Sequence, residues 1–270
     1  MIPVAFDYVA AGSAAEAIDL LAQHGEDAKL LAGGHSLLPM MKLRLAMPGV
    51  LIDIGPVAEL RGITADGSDL VIGATTRHAE LAASALVAEL APLLAYAAAQ
   101  VGDPQIRHRG TIGGSLSHGD PAADLPMALV ALGGSVVLRG PDGTRTVGAD
   151  DFFTGYFETL LEPGELLTQV RVPAAPGQPW GYQKFTRRAN DWAIVGVAAA
   201  GGRIALANMG PVPVRALAAE SALAGGASPA QAAEAAAEGT SPGEDLHASR
   251  AYREHLARVL TRRALERQAG

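Results

Sequence analysis

Two short glycine motifs carry the residues of this sequence that are best suited to bind a charged ligand. The first, Ala32-Gly33-Gly34-His35-Ser36, follows an apolar run and leads into Leu37. Glycines accept positive φ and let a ligand approach the backbone, so consecutive N–H groups can converge on one anion. Ser36 suits the N-cap of a helix over 37–44, whose free N–H groups add positive potential. The motif predicts a phosphate site, with a ligand-free tight turn as the alternative.

The second motif, Thr111-Ile112-Gly113-Gly114-Ser115, repeats this construction further along the chain. Gly113 and Gly114 again free the backbone, and the hydroxyls of Thr111, Ser115 and Ser117 are able to bond phosphate oxygens. We therefore expect the two glycine loops to grip one pyrophosphate.

Asp124 stands shortly after the second motif. Asp120 and Pro121 predict the start of a helix, with Asp120 as the N-cap and Pro121 at the first helical position. Asp124 then falls on the first helical turn. Two roles stay open for its carboxylate: it complements the helix dipole, or it accepts hydrogen bonds from ligand hydroxyls.

The composition narrows the class of protein. The chain has 270 residues, 49% of them hydrophobic and 18% charged, which fits a globular protein of one large domain or two to three small ones. A net charge of −7 without a Lys/Arg cluster argues against nucleic-acid binding. The absence of cysteine excludes disulfides, cysteine-ligated iron–sulfur clusters and cysteine zinc sites, so electron transfer would need an organic cofactor. No apolar run approaches the ~20 residues of a membrane span, which predicts a cytoplasmic protein.

The predicted elements form three units with the boundaries 1–57, 58–173 and 178–270. The first is a βαβ-type unit, and the second combines an alanine-rich helical region with a hairpin. Three prolines and one glycine within 173–179 mark the boundary before the third unit, which is predicted to be an antiparallel sheet followed by helices. The expected fold class is α+β.

The motifs also indicate which nucleotide sites are disfavoured. No Gly-x-Gly-x-x-Gly motif opens a helix, and no Gly-x-x-x-x-Gly-Lys-Ser/Thr motif is present, which disfavours a Rossmann site and a P-loop. The remaining hypothesis is a dinucleotide that is held by two loops from separate units. Together with Asp120-Pro-Ala-Ala-Asp124, the two motifs resemble the FAD-binding medium subunits of molybdenum hydroxylases, above all those of the aerobic carbon monoxide dehydrogenase type. The resemblance covers essentially the whole chain.

This resemblance implies a two-subdomain FAD-binding fold of the vanillyl-alcohol-oxidase (PCMH) type, followed by a C-terminal α/β subdomain with a small antiparallel sheet and helices. It implies that residues 32–37 and 111–115 hold the pyrophosphate of a noncovalent FAD and that Asp124 binds a hydroxyl of the FAD chain. Lys184 and Trp192 would give polar and stacking contacts to the isoalloxazine; a surface lysine and a core tryptophan are the alternatives. Some relatives of the wider fold attach flavin to histidine, but His35 is interpreted as holding the phosphate turn.

The resemblance also implies partners and a division of labour. A molybdenum cofactor on a large molybdopterin-binding subunit and [2Fe-2S] clusters on a small iron–sulfur subunit would send electrons through this FAD to an external acceptor. The expected assembly is a dimer of heterotrimers, cytoplasmic, with peripheral attachment to the inner face of the membrane left open. No catalytic residue or metal ligand is expected on this chain, and His78, His108 and His118 are predicted to be structural.

Other functions remain open at this stage. A free-standing flavin reductase or oxidase of the same fold would need a proton donor and a substrate pocket, for which residues 180–270 offer no convincing pair. A non-redox nucleotide-binding module is the second alternative. Within the family, carbon monoxide is the favoured substrate, and an N-heterocycle, an aldehyde or a purine stays possible.

Overall fold

The first part of the chain forms a short parallel sheet. The computed structural model describes residues 2–268, and within them the sheet has the strand order β1-β3-β2. Ser13 caps the first helix by accepting a hydrogen bond from the Glu16 N–H, and Gly25 ends it at φ 54°. The elements are β1 (Asp7–Ala10), α1 (Ala14–His24), β2 (Ala28–Leu31), α2 (Leu37–Lys42) and β3 (Val50–Asp53).

The middle part of the chain forms a five-stranded antiparallel sheet with the order β4-β5-β10-β6-β7. The predicted hairpin is confirmed, since β6 and β7 pair from Ser135 with Gly148 to Gly140 with Gly143. The strands are β4 (Ile63–Asp66), β5 (Asp69–Gly73), β6 (Ser135–Gly140), β7 (Gly143–Gly148) and β10 (Leu166–Pro173), with a small pair β8 (Phe153–Gly155) and β9 (Glu158–Thr159). The helices are α3 (His78–Ala83), α4 (Ala85–Leu90), α5 (Pro92–Ala99), α6 (Pro104–Arg109), α7 (Ile112–His118), α8 (Asp124–Ala131) and α9 (Ala149–Phe152).

The last part of the chain is a four-stranded antiparallel sheet followed by three helices, as predicted. The first and third of these helices pack on the sheet, and the second packs on the other two. Gly201 and Gly202 make the turn between the second and third strands of this sheet, at φ 54° and 82°. The elements are β11 (Trp180–Phe185), β12 (Val195–Ala200), β13 (Arg203–Ala207), β14 (Val214–Arg215), α10 (Leu217–Ala224), α11 (Pro229–Glu234) and α12 (Arg250–Gln268). No helix within residues 2–268 is long and apolar enough to cross a membrane.

The prediction that Asp120 and Pro121 open a helix is wrong, because α8 begins at Asp124. The Asp120 carboxylate accepts a hydrogen bond from the Ala122 N–H at 2.8 Å, which closes a turn two residues on. The Pro121 carbonyl accepts one from the Asn208 N–H at 2.8 Å, so the last sheet holds this turn in place. Asp124 nevertheless lies in the first turn of its helix, as expected.

Helix α8 joins the middle and last parts of the chain. Every residue from Asp124 to Ala131 is buried, and the helix packs against α5 on one side and against β12 and β13 on the other. Small side chains on the facing strands, Ala198, Ala200, Ala205 and Ala207, belong to the same core as the leucines of α5 and α8. One apolar core therefore runs through both parts, and α8 is a rigid base for groups placed at its first turn.

Candidate functional site

The first glycine motif connects β2 to α2, and its two glycines serve different purposes. Gly34 has φ 76°, where a side chain is disfavoured. Gly33 does not take positive φ, contrary to expectation. A Cβ at Gly33 would overlap the Arg109 carbonyl oxygen and lie 2.8 Å from the Gly110 Cα. Gly33 is therefore needed for close backbone contact with the chain that leads into the second motif.

The backbone N–H groups of this motif point to an anion site. Within residues 2–268, no protein group accepts a hydrogen bond from the N–H of residues 33–37. Ser36 occupies the N-cap position of α2 as predicted, although its side chain makes no capping bond, and the helix ends at Lys42, short of the predicted residue 44. Five consecutive unused donors and a free hydroxyl form a donor set of the kind that holds phosphate.

The second motif has a different local structure from the one predicted. Ile112, Gly113, Gly114 and Ser115 lie in α7, and neither glycine has positive φ. The N–H groups of Ile112 and Gly113 donate to Thr76 and Ala74, at 3.0 and 2.9 Å. Those of Gly114 and Ser115 donate to the Thr111 hydroxyl and carbonyl, at 3.2 and 3.0 Å. Because these donors are already used, the expectation of a second free backbone cradle is wrong for residues 112–115.

The second motif can still offer a ligand its side-chain hydroxyls and the room left by its glycines. Thr111 caps α7 and is buried, whereas Gly114 is exposed and Ser115 is half-buried. A Cβ at Gly113 would lie 2.6 Å from the Ala74 Cβ, so this glycine lets α7 pack against the end of β5. The contact between Gly33 and Gly110 brings the two motifs together, as the sequence predicted.

Asp124, Tyr182 and Lys184 form a buried polar cluster where α8 meets β11. The Lys184 Nζ donates to Asp124 Oδ2 at 2.9 Å and to the Gln100 carbonyl at 3.3 Å. The Tyr182 hydroxyl donates to Asp124 Oδ1. Burial raises the pKa of Asp124, and Lys184 and Tyr182 oppose this rise. Burial and the nearby Asp124 raise the pKa of Tyr182 well above its ordinary value. The alternative of a surface lysine at 184 is therefore wrong.

Trp192 lies in the loop between β11 and β12, and 56% of its surface is exposed. The alternative of a core tryptophan is therefore wrong. The end of the loop is fixed because the Ile194 N–H donates to the Phe185 carbonyl at 2.8 Å and the buried Arg253 donates to the Ile194 carbonyl at 2.6 Å. Its indole remains available for stacking, and that role stays a prediction.

Three residues near these groups were not predicted to be part of the site: His78, Arg107 and Tyr182. His78 and Arg107 precede the second motif, and His35 and Arg107 both act electrostatically on His78. Tyr182 and Lys184 are two residues apart in β11, so their side chains lie on the same face of the strand. This spacing is the only sequence signal that links them.

Comparison with known proteins gives the family. Residues 4–175 match the family described as the FAD binding domain in molybdopterin dehydrogenase, and residues 180–268 match the CO dehydrogenase flavoprotein C-terminal domain. The chain therefore belongs to the flavoprotein family of the molybdopterin dehydrogenases. It is 47% identical to the carbon monoxide dehydrogenase medium chain of Hydrogenophaga pseudoflava, over 98% of this chain and 97% of that one.

A further relative indicates the breadth of the family, and a solved structure shows the same fold. The chain is 38% identical to the nicotine 6-hydroxylase medium subunit of Paenarthrobacter nicotinovorans, over 97% of this chain and 96% of the other. Among solved structures, it matches the carbon monoxide dehydrogenase of H. pseudoflava that lacks the Mo-pyranopterin moiety of the molybdenum cofactor. The TM-score is 0.95 at 49% identity, covering 100% of this chain and 99% of the other. The identification of the family from its motifs is confirmed.

The two motifs predict opposite tolerance to a methyl group. Gly33→Ala should destabilise the chain by about 1–3 kcal/mol or more, because the new Cβ meets fixed backbone. Gly114→Ala should cost less than about 1 kcal/mol, because its Cβ meets only the Thr111 hydroxyl, at 2.9 Å, and alanine favours a helix. Urea denaturation measures both. Equal losses would contradict the close backbone contact at Gly33.

Removing one partner of the buried pair should cost far more than removing a surface ion pair. We expect Lys184→Met to lower the free energy of unfolding by about 3–5 kcal/mol, because it leaves the Asp124 charge buried. Asp124→Asn combined with Lys184→Met should recover part of this loss. Arg61→Met, which breaks the exposed pair with Glu80, is the matched control and should cost at most about 1 kcal/mol. A Lys184→Met loss no larger than the control's would refute the buried pair.

Proposed function

We propose that this chain binds one FAD noncovalently and serves as the medium subunit of a carbon monoxide dehydrogenase complex. The observation that carries the cofactor assignment is the row of unused N–H donors at residues 33–37. A diphosphate supplies the acceptors that this row lacks, so the residues present fit the cofactor of the family. Similarity over nearly the full length of a carbon monoxide dehydrogenase medium chain supports the choice of substrate.

The proposed cofactor contacts divide among the three parts of the chain. The pyrophosphate would lie on residues 32–37, with the Thr111 and Ser115 hydroxyls beside it. Residues 112–114 would form the wall of the site next to the pyrophosphate. Asp124 would accept a bond from a hydroxyl of the FAD chain through a lone pair left by Tyr182 and Lys184. Lys184 and the exposed Trp192 would contact the isoalloxazine. The bound flavin would supply the redox chemistry, accepting electrons and passing them on.

The proposed complex extends beyond this chain. A large molybdopterin-binding subunit and a small iron–sulfur subunit would reduce the flavin, and an external acceptor would reoxidise it. We place the complex in the cytoplasm as a dimer of heterotrimers, with peripheral attachment to the membrane as an option. Within the chain, we propose functional units at 1–57, 58–173 and 178–270, in line with the three larger sheets.

A second substrate class has a specific observation in its favour. The nicotine 6-hydroxylase medium subunit matches this chain over nearly its full length, so a medium subunit of this kind also serves a complex named for an N-heterocycle. The substrate would bind on another chain in either case. This chain's residues are therefore compatible with both substrates.

Ser36 offers a test of the cofactor site that separates binding from folding. Ser36→Asp should leave stability unchanged or raise it by about 0.3–1 kcal/mol, because a carboxylate at the N-terminus of α2 complements the helix dipole. The same carboxylate should weaken FAD binding at least about tenfold by repelling the diphosphate. Ser36→Asn is the neutral control.

Fluorescence titration of the flavin-free chain with FAD gives both dissociation constants. If Ser36→Asp binds FAD as tightly as Ser36→Asn, the pyrophosphate does not lie on the first motif. Acid precipitation of the loaded chain should release the flavin into solution. Flavin that stays in the pellet would instead implicate His35 in a covalent link.

The proposed partners can be tested by measuring whether a substrate reduces, and so bleaches, the flavin with and without them. Carbon monoxide should not bleach the flavin of the isolated chain, since this chain has no cysteine for a cluster and is proposed to receive its electrons from partners. Co-expression with the two proposed partner subunits should restore bleaching. Bleaching of the complex by an N-heterocycle and not by carbon monoxide would select the second substrate class. Bleaching of the isolated chain by either would favour a free-standing enzyme.

A further inference from the structure

His78 lies behind the contact between the two motifs. It is the first residue of α3 and only 4% of it is exposed. A Cβ at Gly110 would lie 2.7 Å from the His78 Nε2, and Gly110 in turn packs against Gly33. The backbone N–H of His78 also donates a hydrogen bond to the Gly110 carbonyl, at 3.0 Å. The imidazole thus forms the back of a column that runs from Gly33 through Gly110 to the ring.

The ring is buried without a full set of hydrogen-bond partners. Among the described residues, no group bonds to the His78 Nδ1. Burial, His35 and Arg107 together lower the pKa of His78 to about 4, so the ring is neutral near pH 7. Arg107 is held in place because its guanidinium donates to the Val101 and Gly102 carbonyls, at 2.9 and 3.2 Å. A neutral imidazole among positive groups is poised to take a proton once negative charge arrives.

Charged and titratable groups stand on every element around the ring. Glu80, on the same helix, is already engaged by Arg61 and by the Arg77 N–H, at 2.8 Å for the latter. The elements packed against α3, together with the first motif, contribute further charged and titratable groups: Arg77 on its own turn, His35 on the first motif, Glu89 on α4, Tyr96 on α5, and Arg107, His108 and Arg109 on α6. Glu80 and Glu89 are the acidic residues among these groups, and neither is among the causes of the lowered pKa of His78.

We propose that His78 is a positioning residue of the FAD site, which holds the two motifs together as a neutral ring and takes up a proton when the diphosphate binds. The inference rests on the proposed function, because the diphosphate is its source of negative charge. Protonation gives both ring nitrogens a hydrogen to donate and adds a positive charge behind the diphosphate. The coupling is reciprocal, so the proton must strengthen FAD binding as much as FAD strengthens proton binding.

The sign of the pH dependence follows from this coupling. FAD raises the affinity of His78 for a proton, so FAD binding should tighten as pH falls from 7 and stop tightening near the pKa of about 4 of the free protein. An opposite charge at close range raises a pKa by roughly 1–3 units. For a rise of about 2 units, the dissociation constant should fall about tenfold between pH 7 and pH 5.

Proton uptake can be measured directly on the full chain. Isothermal titration of the flavin-free protein with FAD at pH 5.5, in two buffers of different ionisation enthalpy, gives the number of protons taken up. We expect uptake in the wild type and in His35→Asn, because the exposed His35 is not the acceptor. His78→Asn should bind FAD with no uptake and no change in dissociation constant between pH 7 and pH 5.

The outcomes separate this inference from the proposed function. Uptake that disappears in His35→Asn, or that persists in His78→Asn, would overturn the role of His78 and leave FAD binding intact. Absence of uptake in the wild type would overturn it as well, and this measurement does not depend on whether His78→Asn folds. Failure of the wild type to bind FAD at any pH would overturn the proposed function itself.

Discussion

The backbone of the first motif lies directly on the backbone that leads into the second, and the candidate site depends on this contact. A Cβ at Gly33 would collide with Arg109 and Gly110, and a Cβ at Gly110 would collide with His78. Two backbone segments can approach this closely only where side chains are missing on the facing surfaces. The contact fixes the unused N–H row of residues 33–37 relative to α7 and α3. The two motifs thus have complementary roles: the first offers donors, and the second supplies a fixed wall.

A second constraint joins this wall to the C-terminal sheet. Asp124 is the first residue of α8, and its carboxylate receives bonds from Tyr182 and Lys184 of β11. Burying such a pair contributes little net stability, whereas breaking it is costly, so its effect is to fix one arrangement of the two elements. The strand that carries Lys184 continues into the loop of Trp192. Lys184, which is proposed to contact the isoalloxazine, is thus held by the same helix that follows the second motif.

The sequence was sufficient wherever short-range rules decide the structure. Ser13 and Gly25 bound the first helix, the hairpin over β6 and β7 forms at Pro141 and Asp142, and two glycines turn β12 into β13. It failed where distant residues decide. The carbonyls of Ala74 and Thr76 draw the second motif into a helix, and Asn208 holds Pro121 in a turn. The pairing of Asp124 with Lys184 and the burial of His78 likewise arise from residues far apart in the chain. The identity of the cofactor was predicted from the family resemblance and not from any local pattern.

A chain of net charge −7 must concentrate positive potential locally if it is to hold an anionic dinucleotide. Helix α6 ends in Arg107, His108 and Arg109, directly before the contact with Gly33. Placing the Arg107 and Arg109 charges on a short helix between the two motifs raises the potential at the N–H row without making the whole surface basic. Burial, His35 and Arg107 together lower the pKa of His78, which keeps its ring neutral until an anion arrives. Burial and the local field thus act together on the proposed positioning residue, so that binding would be linked to pH through a single buried ring.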